Sequence, residues 1–191
     1  MAVTMSEMPA LPGALSDLKS FLRVSVSDED ALLAGLIRAA AELCEAFVGR
    51  VLIERAIEDM AAAGSGPVRL GAGPVQMIES VAVVDEAGAA TILGAEDYVA
   101  EIDAAGGGAV KLRVATSARR IRIAYRAGMA ADWNGAPEML RHGIIRLAAQ
   151  YYLRRGEAGD PEVPAAVTAL WRPWRRLPFG AGDGVLRNLE R

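Results

Sequence analysis

Cys44 and His142 are the only cysteine and histidine among 191 residues. A structural zinc site needs four such ligands in paired spacing, so these two, on separate helical stretches, cannot build one. His142 reads as a surface or core-edge histidine. The three acids Asp28-Glu29-Asp30 could hold a cation. They follow Ser27 at a helix start, however, where the macrodipole favours negative charge without any metal. Gly64-Ser65-Gly66-Pro67 lacks the spacing of a dinucleotide loop and reads as a linker. Neither lysine, Lys19 or Lys111, follows the glycines of a phosphate-binding loop, and no nucleophile-elbow motif is present. The sequence predicts no enzyme, no metal and no cofactor.

One segment remains chemically loaded: Trp171-Arg172-Pro173-Trp174-Arg175-Arg176-Leu177-Pro178-Phe179. Arginine interleaved with tryptophan suits phosphate contact and base stacking. The same residue types dominate protein interface hot spots. Trp171, Trp174, Leu177 and Phe179 form an apolar series that a free tail would expose at a cost. Pro173 and Pro178 favour extended segments that lie in a partner's groove. A protein partner, packing on the chain's own domain and nucleic acid all stay open, with the partner reading favoured.

Charge is divided between the two ends. Residues 1–110 hold six Lys/Arg against 17 Asp/Glu, and residues 111–191 hold 15 against seven, so a net of −11 faces a net of +8. Such a chain is poised to bind copies of itself, or a partner at one end. Of 21 basic residues 19 are arginine. Codon bias in a GC-rich genome explains this, and so does the suitability of the planar guanidinium for interfaces. The length fits one domain, or one domain with an insertion. The lone cysteine suits a reducing compartment. Without an 18-residue apolar run or a signal-like N-terminus, the sequence predicts a soluble, intracellularly made protein with no membrane span.

These residues need elements to position them. The first ten read as an arm, with Pro9 and Pro12 preventing early helix. A short helix is expected from about Leu15 to Leu22. Ser27 is expected to cap a long helix over residues 28–48, with Leu32, Leu33, Leu36, Ile37, Ala40, Leu43, Cys44 and Phe47 at helical spacing and Gly49 closing it. From Val51 the pattern turns strand-like, with candidates at 51–57, 68–70, 75–84, 91–93, 98–102, 110–114 and 121–125. Asp85–Gly88 reads as a hairpin turn and Gly106–Gly108 as a flexible one. Arg120, Arg122 and Arg126 alternate with Ile121, Ile123 and Tyr125, which predicts a half-buried antiparallel strand with a basic outer face. Pro137 opens a further helix running to Arg155, with Arg154 and Arg155 at its C-terminus, and Pro164 starts a short last one. The expected class is α+β: a mainly helical core in which N- and C-terminal helices pack together, a small inserted antiparallel β-section and an extended C-terminal tail. The divisions are 1–50 (arm and helices), 51–128 (β-section), 129–170 (C-terminal helices) and 171–191 (tail).

Three groups of residues resemble the head–tail connector (adaptor) proteins of long-tailed phages and related gene transfer agents. The first is Leu15–Arg23 with Asp28–Leu33 and Ala39–Glu42. The second is Tyr125-Arg126-Ala127-Gly128, then Ala136–Arg141 and Tyr151–Gly156. The third is Val163–Leu170 followed by Trp171–Arg175. Their order and spacing carry the resemblance. It implies a structural, non-catalytic virion protein, made in the host cytoplasm and sited in the head–tail neck. It further implies a homo-oligomeric, dodecameric ring whose helices form the body, set between the portal and the stopper or tail-completion proteins around the passage of double-stranded DNA. On this reading Trp171, Arg172, Trp174, Arg175, Arg176, Leu177 and Phe179 are expected to anchor to the portal. Glu42, Glu45, Arg120, Arg122, Arg126, Arg154 and Arg155 are candidates for the subunit interface or the channel. A small nucleic-acid-binding protein using its basic half is the alternative.

Overall fold

Proline, glycine and apolar periodicity set the ends and faces of the helices. The computed structural model describes residues 1–155 and 163–176. These fall into two compact units, one of residues 1–7 and 54–129, the other of residues 8–53, 130–155 and 163–176.

The helical unit contains α1 (Pro12–Leu22), α2 (Asp30–Val48), α3 (Glu138–Leu153) and α4 (Ala165–Trp171). Pro12 was expected to hold off helix formation; instead it opens α1, since its missing N–H is one that a first turn leaves unpaired anyway. Ser27 does not cap α2 with its hydroxyl. Its carbonyl accepts the Asp30 N–H at 3.0 Å, and the helix begins two residues later than expected. Gly49 closes α2 as expected, left-handed at φ 67° and donating to the Glu45 carbonyl. Leu18, Leu33, Ile37, Cys44, Leu140, Ile144, Leu147, Val167 and Trp171 make the core. Trp133, in the loop before α3, is buried against Gly13 and donates its indole N–H to Asp17 at 2.8 Å, which ties that loop to α1. Val51-Leu52-Ile53, expected in a strand, are buried here instead. The Glu45 carboxylate accepts the Leu52 N–H at 2.7 Å and holds them in place.

The β unit contains β1 (Ala2–Met5), β2 (Arg55–Ala62), β3 (Val68–Arg69), β4 (Val75–Val84), β5 (Ala90–Ile92), β6 (Tyr98–Ile102), β7 (Gly108–Leu112) and β8 (Arg120–Ala127). One antiparallel sheet has the order β1-β2-β8-β4-β5 and a second the order β3-β7-β6. The supposed N-terminal arm is therefore an edge strand, with Val3 opposite Asp59 and Met5 opposite Ile57. β8 is central and alternates as its sequence predicts: Ile121, Ile123 and Tyr125 are buried and their neighbours are not. The hairpin at Asp85–Gly88 forms, with Gly88 at φ 89°. The glycine turn at 106–108 is not loose. Asp103 accepts N–H groups from Ala105 and Gly107, and Gly106 takes φ 78° with Pro74 so close that a Cβ would lie 2.3 Å from it. The α+β class holds. The extended tail does not begin at 171, because α4 runs through Trp171 and Arg172–Trp174 add a 3-10 turn.

Candidate assembly surfaces

Trp171 is fully buried in the helical unit. Its indole N–H points to the Leu140 carbonyl at 3.4 Å, and its ring lies 5.9 Å from that of Phe47 in a tilted arrangement. Gly143 makes room for it: a Cβ there would lie 2.2 Å from the indole nitrogen. Of the readings open for this residue, packing on its own domain is the one realised, so Trp171 has no face for a partner. Arg172 and Arg175 are exposed, and Trp174 and Arg176 half-buried. The Arg175 guanidinium stands over the Phe47 ring at 5.6 Å, and the Arg176 N–H donates to the Val48 carbonyl at 2.7 Å. This segment is thereby held against the end of α2. Leu177 and Phe179 lie outside the described residues.

On β8 the arginines do not form an open basic face. Arg126 is 2.5 Å from Glu54, and Arg122 is 3.7 Å from Glu58 on the neighbouring strand. Arg120 is exposed at the strand's start. Alternation along β8 revealed the arginines. The acids come near them diagonally through the β2–β8 register, in which Ala56 faces Arg126 and Met60 faces Arg122, and one strand read alone does not reveal that register.

Glu42 is exposed on α2, whereas Glu45 is the half-buried acceptor of the Leu52 N–H. Arg155 is 3.3 Å from Glu29 and stacks over Tyr152 at 4.2 Å, while the Tyr152 hydroxyl donates to Glu29. Arg154 is exposed beside it. Lys19 pairs with Asp30 at 2.6 Å. Two of the three consecutive acids are thus ion-paired within the unit. Burial pushes the Cys44 thiol up to about 12, which removes it as a nucleophile at neutral pH. Among the described residues no three His, Cys, Asp or Glu side chains come together as a metal site.

Three features were not read from the sequence. The first is a buried carboxylate: Asp59 accepts the Gly71 N–H at 2.7 Å and the Tyr125 hydroxyl at 3.2 Å, and that hydroxyl accepts the Ala72 N–H at 3.1 Å. Desolvation raises the Asp59 pKa against those donors. The second is the outward side of α2, where Leu32, Leu36, Ala39, Leu43 and Ala46 present an apolar stripe. The signal was available, because the apolar residues of this helix occupy more than one face. The third is a groove of about 360 Å³ between α1, α3 and α4, lined by Phe21, Arg146, Ala149, Leu153, Ala166 and Val167 among others.

The family described as phage gp6-like head–tail connector protein matches residues 13–91. No curated protein sequence matches the chain. Three solved structures are similar over nearly all of it. "Neck of empty GTA particle computed with C6 symmetry" aligns at TM-score 0.75 and 26% identity, covering 95% of this chain and 99% of that one. "Virion of native gene transfer agent (GTA) particle" aligns at 0.73 and 27%, with the same coverage. "Neck of native GTA particle computed with C12 symmetry" aligns at 0.70 and 26%, covering 94% and 98%. No helix among the described residues is long and apolar enough to cross a membrane.

Proposed function

We propose that the chain is a structural protein of the virion neck, an adaptor between the capsid portal and the stopper or tail-completion proteins, because its residues 13–91 match the head–tail connector family and chains from gene transfer agent necks align over nearly all of it. One observation carries this: the match to chains from neck structures runs end to end, over 94–95% of this chain and 98–99% of theirs, at 26% identity. A shared fold alone would leave function open. End-to-end agreement together with a sequence match to the connector family narrows it to the neck. The role is architectural and not catalytic.

The finer arrangement is a proposal. Copies of the chain form a closed ring of 12 around the path of double-stranded DNA, in keeping with the C12 and C6 symmetries of the similar necks. The helical unit forms the body of the ring. The exposed Arg172 and Arg175, with Arg176 and residues 177–191 that follow, face the portal. Charge asymmetry supports a subunit whose unlike surfaces meet those of its neighbours. Two of the arginines on which the nucleic-acid alternative would draw, Arg122 and Arg126 of β8, are already engaged by Glu58 and Glu54.

Removing the gene from producing cells tests the adaptor role. The expected result is filled, portal-bearing capsids that lack tails, with tailed particles restored by the gene in trans. Fully tailed, DNA-delivering particles made without this chain would overturn the reading.

A further inference from the structure

The exposed side of α2 differs from that of an ordinary surface helix. Its core stripe is Leu33, Ile37, Ala40, Cys44 and Val48. On one flank of its exposed side, Leu32, half-buried Leu36, Ala39, Leu43 and Ala46 recur at alternating spacings of four and three, the spacing of a helix–helix seam. That stripe carries no charge, yet Leu32 and Leu43 are 45% and 40% exposed. Glu42 borders it. An uncharged stripe extending over four turns is more apolar surface than an unpartnered helix ordinarily shows to water.

The same unit carries a complementary concave surface. None of the lining of the 360 Å³ groove between α1, α3 and α4 comes from α2. Ala149, Ala166 and Val167 line it, and Phe21 and Leu153 rise beside it 50% and 73% exposed. Arg146, also exposed, borders the groove as Glu42 borders the stripe.

We propose that the outward stripe of α2 seats in the α1–α3–α4 groove of a second copy of this chain. Each copy then offers the ridge to one neighbour and the groove to the other. A contact between two different faces of the same protein is head-to-tail and continues until the ring closes, whereas a self-matching patch stops at two copies. Glu42 of one copy meets Arg146 of the next at the rim, which guides encounter and fixes register. The apolar residues between them supply the desolvated centre. This inference rests on the ring reading and adds which faces meet.

Paired cysteines test it in assembled particles. Leu43 and Leu153 are exposed, so Leu43→Cys and Leu153→Cys leave the core intact, and buried Cys44 does not compete for reagent. Treatment of the double variant with a short bis-maleimide is expected to give a ladder of dimer, trimer and higher bands, while either single variant stays monomeric. A double variant without a ladder, or cross-linked dimers from Leu43→Cys alone, would overturn the assignment; the second result would mean that α2 meets α2. Native mass spectrometry of the released neck separates the two levels. Multimers without a thiol ladder refute these faces and leave the ring standing. A monomer in the neck refutes both.

Discussion

Gly143 and Trp171 form a size-matched pair, a missing side chain on α3 and the largest side chain of the core beside it. Gly143→Ala must push the indole away, since its Cβ would overlap the ring nitrogen; overpacking of this kind costs about 1–3 kcal/mol. The expected outcome is a lower thermal midpoint with a shifted tryptophan emission, and an unchanged midpoint would mean that the indole moves freely. Asp59 makes a second prediction, on pH. Its folded pKa is raised, chiefly by desolvation, so the folded chain holds this proton more tightly than the unfolded one. The stability it contributes is full below the ordinary carboxylate value of about 3.9 and is lost as pH rises through the raised folded value. Asp59→Asn keeps an acceptor for the Gly71 N–H and removes the titration. Urea midpoints measured across mildly acid to neutral pH should fall for the wild type and flatten for the variant; equal slopes would assign the dependence to another group.

Elements brought out cancellations that single residues hid. The alternation on β8 was legible because burying every second residue imposes a period of two. The sequence predicts the basic face but not its acidic partners, since Glu54 and Glu58 come diagonally beside those arginines only through strand pairing. Replacing both acids by glutamine should free Arg122 and Arg126. If both then reach phosphate, duplex DNA binding should gain a salt dependence steeper by ~2 in log–log slope, at 0.9 per contact. Filter binding over a salt series reads this, and an unchanged slope would show that the two acids do not mask the strand. The long helix was legible from apolar spacing and Gly49, whereas its start was misplaced: Ser27 works through its carbonyl, and backbone geometry there does not depend on side-chain type. Val51–Ile53 carry strand-forming residues but are drawn into the helical core, a case of tertiary packing overriding local propensity.

For the whole molecule, burial of Trp171 fixes where the chain can be cut. A deletion from residue 171 onward removes core, and loss of a buried tryptophan costs about 3–5 kcal/mol. A stop after Arg176 keeps Trp171, the Arg175–Phe47 contact and the Arg176–Val48 hydrogen bond. That shorter chain should fold with wild-type circular dichroism and fail to join portal-bearing capsids. Normal incorporation into capsids would refute the role of residues 177–191 as the anchor. The polarity noted in the sequence takes a more local form here, since several charges pair within their own unit: Lys19 with Asp30, Arg155 with Glu29, Arg126 with Glu54. The contact proposed between copies accordingly draws on the apolar relief of α2 and the groove, bordered by Glu42 and Arg146.

Legible in the sequence were the helices and most of the strands, the half-buried alternation of β8, the end of α2 at Gly49 and the resemblance to head–tail connectors. Each of these follows from periodicity, from glycine geometry or from motifs close together in the chain. Tertiary structure alone brought out that residues 2–5 complete a sheet, that Trp171 belongs to the core and that Asp59 lies buried beneath Tyr125. These depend on partners between 12 and 66 positions away. A residue's type records which contacts it can make, and packing decides which of them it does make.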